Sequence, residues 1–181
     1  MRKAILVLAL IIGVCFLAGC AQKEGTGTLN MQITDAPADL DIEKAVVTIS
    51  NVQVHYAGTE PEETNETENT TESESGWFDV VSESKTYDLV AIKDVKEFLG
   101  SAELKAGKYT QVRLSIDKAV VTIDGTEYDL TVPSEKLKLT KGFNIVANQT
   151  TTLTLDFDAQ ESIVSAGDKY NLKPTIKIIQ E

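Results

Sequence analysis

The chain has 181 residues and a formal net charge of −11, with 42% apolar and 25% charged residues. That is enough for one domain and a tail, and too apolar for wholesale disorder. The acidity argues against a nucleic-acid partner, since phosphate binding needs clustered Lys and Arg. Two Cys and one His exclude a disulfide scaffold, a multi-thiolate metal site and a two-His centre within one chain.

Met1-Arg2-Lys3 is a short basic region, and Ala4 to Phe16 is an apolar run broken only by Gly13. This charge and length pattern is that of a secretory signal, and it is short for a spanning helix. The run closes on Leu17-Ala18-Gly19-Cys20. Small residues before the Cys give a peptidase access to the backbone, and the Cys20 thiol can carry a thioether-linked diacylglyceryl chain. The tetrapeptide resembles the lipobox of prokaryotic lipoproteins. The expectation is a signal peptide over residues 1–19, lipidation at Cys20 and a short polar tether over 20–26. The partner this implies is the cell membrane, reached through the lipid, with the domain facing outside the cytoplasm. Removing residues 1–19 takes away Arg2, Lys3 and Cys15. The mature domain then has no pair of thiols and depends on its apolar core.

Residues 27–181 read as strands. Leu29, Met31 and Ile33 alternate with polar neighbours, a half-buried strand. Ala45 to Tyr56 is a long β-branched run whose apolar parity changes between Ile49 and Val52, which predicts a bulge near Ser50-Asn51. Residues 59–75 hold seven Glu and no large apolar side chain. They are expected to be a disordered, self-repelling insert. Trp77-Phe78 restarts order, either filling the core or forming a platform for sugar rings. Ile92, Val95, Phe98 and Leu99 have helical spacing, and Gly100 reads as a C-cap. Asp124-Gly125 is a hairpin turn of type I′. Two short strands are expected around Lys141-Gly142, another over Leu153–Phe157, and a last one from Tyr170 to Ile178 that Pro174 interrupts. About ten short strands with no βαβ alternation predict an all-β fold: an antiparallel sandwich with one short helix.

The chain resembles the domain of unknown function family 4382, found on exported prokaryotic proteins and lipoproteins. The likeness rests on Gly27-Thr-Leu-Asn-Met-Gln-Ile-Thr-Asp35-Ala-Pro37-Ala-Asp39 and on Leu104-Lys-Ala-Gly107-Lys-Tyr109-Thr-Gln-Val-Arg113-Leu. It closes with Thr151-Thr-Leu-Thr-Leu-Asp156-Phe157-Asp158-Ala and Leu172-Lys173-Pro174-Thr175-Ile176. The Glu-rich insert departs from that compact pattern. The resemblance implies an extracellular β-sandwich, transthyretin-like or immunoglobulin-like, and implies no activity.

Asp35, Asp39 and Asp41 crowd one turn and are candidate ligands for Ca²⁺, which takes six to eight oxygens. Asp side chains also cap turns, and Asp35 before Ala-Pro suits that role equally. Asp156 and Asp158, two apart on one strand, could share a proton as acid and base. Simple strand alternation accounts for them as well. His55 has no visible nucleophile partner. Asn65, Asn69 and Asn148 head glycosylation triplets, which with the lipobox points to an archaeal or bacterial surface protein. The functional expectation is a lipid-anchored cell-surface module that binds or scaffolds and is not an enzyme, with an unknown protein or glycan partner. The alternative is a Ca²⁺- or carbohydrate-binding extracytoplasmic protein.

Overall fold

A computed structural model describes residues 25–35, 42–58, 75–132 and 136–181. Twelve strands carry the fold. They are β1 (Thr26–Asp35), β2 (Ile42–Gly58), β3 (Gly76–Val81), β4 (Lys85–Asp88), β5 (Glu97–Lys105) and β6 (Gly107–Ile123), followed by β7 (Thr126–Thr131), β8 (Leu137–Ile145), β9 (Thr150–Phe157), β10 (Ile163–Ala166), β11 (Lys169–Leu172) and β12 (Ile176–Gln180). Among the described residues one short helix, α1, spans Ala159–Ser162.

The strands form two sheets packed as a sandwich. The smaller has the order β12-β9-β1-β5, and the larger runs β10-β11-β7-β6-β2-β3, with β4 also paired to β2 and β8 to β6. Alternation in the sequence becomes alternation of faces. Leu29, Met31 and Ile33 of β1 and Leu153, Leu155 and Phe157 of β9 are fully buried, and they share one apolar cluster with Val52, Val54, Val112 and Leu114 of the larger sheet. Tyr109 lies at the centre of that cluster. Its ring stacks on Phe143 at 5.3 Å between centroids, and its hydroxyl donates to Lys105 O at 3.0 Å.

The pairing is mostly antiparallel, but β1 runs parallel to β9 and β11 parallel to β7. Parallel neighbours need a long connection that returns the chain to the same end. The passage from β2 to β8, which runs through the larger sheet except for β5, supplies one for β1 and β9.

The two 17-residue strands β2 and β6 form the spine of the larger sheet. Their register slips between Thr48 and Asn51, so that Ser50 on β2 and Asp117 on β6 have no opposite residue. These facing bulges lie where the parity change in the sequence placed one. They divide the spine in two, with β3 and β8 flanking one half and β4 and β7 the other.

Four local expectations are corrected. Residues 92–100 are not a helix. A turn closes with Ile92 N donating to Asp88 O and Val95 N to Ile92 O, Asp94 takes a left-handed φ of 61°, and β5 begins at Glu97. Gly100 is not a cap either: it pairs with Met31 on β1, and a Cβ there would lie 2.4 Å from Val81 Cγ2. The one helix among the described residues instead follows β9. Lys141-Gly142 is a bulge within a single β8, opposite the slip between Tyr109 and Gln111. Finally, Pro174 separates β11 in the larger sheet from β12 in the smaller, so the predicted interrupted strand is a crossing between layers. The Asp124-Gly125 turn has the positive φ angles, 49° and 71°, that a type I′ hairpin needs.

Candidate functional site

Asp35 ends β1 at a buried corner. It is 3% exposed, and its Oδ1 accepts from Ala159 N at 2.9 Å. Burial pushes its carboxyl up to about 6. The Ala159 N–H pulls the other way, Asp158 and Asp156 add to the rise, and Lys93 opposes it. The carboxylate thus ties the end of β1 to the start of α1, the corner-fixing role that Asp before Ala-Pro suggests. Asp39 and Asp41 lie outside the described residues, as do Cys20, Asn65, Asn69 and nearly all of the Glu-rich insert. Among the described residues, no group of three or more His, Cys, Asp or Glu is arranged to hold a metal ion.

Asp156 and Asp158 do not share a strand face. Asp156 is on β9, with its carboxyl raised by burial, lowered by Lys177 and raised again by Asp158. Asp158 is one residue past the strand, where its Oδ1 caps α1 by accepting from Glu161 N at 2.9 Å. Capping takes one of the carboxylates that paired acid–base chemistry would need. Asn148 is exposed in the loop between β8 and β9, at a φ of 59°, and its N–H donates to Thr26 O at 2.8 Å.

Trp77 and Phe78 are not core residues. Phe78 is 38% exposed at the sheet rim, with its ring edge-on to Tyr56 at 6.3 Å. Trp77 faces outward from β3, half-buried beneath two neighbours. The His55 ring meets it edge-on at 4.9 Å, and the Arg113 guanidinium lies over its ring at 3.7 Å. Register explains the meeting. His55 sits between Trp77 on β3 and Gln111 on β6, and the next outward row is Asp79, Gln53, Arg113 and Lys138. Arg113 therefore reaches across β2 to reach the indole, about two strand spacings of some 4.8 Å each.

The amides on this face are oriented. Asn51 Nδ2 donates to Asp79 Oδ1 at 2.8 Å and to Val81 O at 2.9 Å, and Gln53 Nε2 donates to the same Asp79 oxygen at 3.0 Å. With both N–H directions of Asn51 used, its carbonyl oxygen is left to accept. Further along the spine the two bulged residues meet: Ser50 Oγ donates to Asp117 Oδ1 at 2.5 Å. They line an open cleft of about 410 Å³ with Ser115, Ile116, Val132 and Lys136.

Apart from Trp77 and His55, sequence reasoning did not single out these groups. Their signal is the outward parity of two strands, Asn51-Gln53-His55 and Gln111-Arg113-Ser115. Neither set means much until the register lays one beside the other.

A family model matches residues 26–174, described as a domain of unknown function, DUF4382. The chain belongs to that family. The match covers the sandwich from the first residue of β1 to the crossing at Pro174. No curated protein and no solved structure matches the chain.

Proposed function

We propose that the protein is a lipid-anchored module on the outside of the cell membrane, and that its sandwich binds a partner and does no chemistry of its own. The observation that carries this reading is the order of basic residues, apolar run and Leu17-Ala18-Gly19-Cys20 directly before the domain. Two lipid chains on one Cys anchor a protein far more firmly than one, at about 0.8 kcal/mol per buried CH₂.

The geometry supports it by giving the anchor a short reach. Gly25, five residues after Cys20, is already held by the fold, its carbonyl accepting from Ala106 N at 2.8 Å. Five residues span at most about 18 Å. The end of the sandwich carrying the start of β1, the β5–β6 turn and the β8–β9 loop therefore faces the bilayer. The bound roles of Asp35 and Asp158 also favour structure over catalysis at the corner beyond α1.

The intact mass of protein extracted from native membranes tests the reading. The expected mass lacks residues 1–19 and carries a diacylglyceryl group on Cys20, and a Cys20→Ser chain keeps its leader and gains no lipid. An unlipidated chain with its leader attached, recovered from cytosol, would overturn it.

A further inference from the structure

The outer face of β8-β6-β2-β3 combines three features. The first is an unbalanced pair of cations. Arg113 and Lys138 stand directly opposite each other on β6 and β8. Like charges opposite one another on a sheet oppose its pairing. Neither is ion-paired to a described residue. In a chain of net charge −11, this row holds one carboxylate, Asp79, against two cations, and its Oδ1 is engaged by the Asn51 and Gln53 amides rather than by either cation.

The second is rigidity. Packed over the Trp77 ring, the Arg113 fork is held in place before anything binds. A guanidinium so held matches a carboxylate with two parallel hydrogen bonds. The third is the company it keeps: amide oxygens at Asn51 and Gln53, whose amide nitrogens already donate to Asp79, ready to accept from the hydroxyls of a sugar. Outward side chains continue along the spine past Ser115 to the cleft at Ser50 and Asp117, so the surface is long and narrow.

We propose that this face binds an acidic oligosaccharide laid along β2 and β6, with a sugar carboxylate held by Arg113 and Lys138. It rests on reading the domain as an extracytoplasmic binding module, which the mass of the anchored form tests separately. A saccharide that fails to bind an acylated protein would therefore remove this proposal and leave that reading intact.

The test is calorimetric titration of the full, detergent-held protein with tetragalacturonate, beside the uncharged tetrasaccharide cellotetraose. The expected result is at least tenfold tighter binding of the acid, weakening as salt is raised. Arg113→Gln should abolish that preference, and Lys138→Gln should reduce it several-fold. Lys138 is exposed, so its variant folds even where loss of Arg113 disturbs Trp77. Lys177→Gln, on β12 of the other sheet, should change nothing. Equal affinity for the two sugars, no binding of the acid at millimolar concentration, or an acid preference that survives both Arg113→Gln and Lys138→Gln would overturn the proposal.

Discussion

The two sheets show opposite outer faces built from the same alternating pattern. On the smaller one, outward residues close on one another. Thr154 is fully buried although it points away from the core, with its hydroxyl 3.4 Å from Gln32 Oε1, and Thr34 Oγ1 donates to Ile92 O at 3.3 Å. On the larger one, longer side chains stay open, fixed at their bases by Asp79 and Trp77. Alternation decides which residues point outward. Side-chain length and cross-strand neighbours decide whether the outward surface is spent on the protein itself.

Four measurements break or sharpen that contrast. Both faces rest on one core, so Leu155→Ala, fully buried beneath the smaller sheet, should cost about 2–5 kcal/mol in chemical denaturation and unfold the two sheets together. Separate transitions for the two sheets would show that the core is not shared. Gly100→Ala acts at the seam, where a Cβ would meet Val81 Cγ2 and Val80 O. Overpacking there should cost about 1–3 kcal/mol, and a neutral result would mean that β3 and β5 separate readily.

The third measurement concerns the corner. Asp35 titrates near 6 in the fold, against an ordinary 3.8. The folded state thus holds this proton more tightly than the unfolded chain does. Its contribution to stability is greatest below about pH 4, falls as pH rises towards 6 and is level above. The total approaches about 3 kcal/mol at about 1.36 kcal/mol per pH unit. Asp35→Asn keeps the oxygen that accepts from Ala159 and cannot titrate. The variant should gain on the native chain by up to that amount between pH 4 and pH 7, as read from denaturation midpoints. A difference that stays constant with pH would remove Asp35 as the source. The smallest effect is on the open face, where Lys138→Gln should leave stability within about 0.5 kcal/mol. Thermal melting checks this, and a larger loss would mean that Lys138 serves the fold.

Much of the fold was legible. Period-two runs located β1, β9 and the first part of β6, the Asp124-Gly125 pair located a hairpin, and the parity change in β2 located the bulge. What misled was spacing shared by two structures. Ile92, Val95 and Leu99 suit a helix, but the same residues serve a turn followed by a strand once Gly100 is needed at the seam. Pro174 was legible as a break, though not as a passage between layers, because nothing local says which sheet a strand joins. The candidate face was the least legible part. Trp77 was visible by type, yet Arg113 lies 36 residues along the chain, and only the β2–β6 register brings them together.

The position of β1 bears on how the protein carries load. It lies between β9 and β5, hydrogen-bonded along both edges, and it is the strand that continues toward Cys20. Under the proposed anchoring at Cys20, a pull along β1 must slide the strand against two neighbours at once, loading their bonds together in shear. An edge strand pulled the same way would be held by one neighbour only. With an inner strand leading toward the proposed anchor, this sandwich is built to resist a pull from that end.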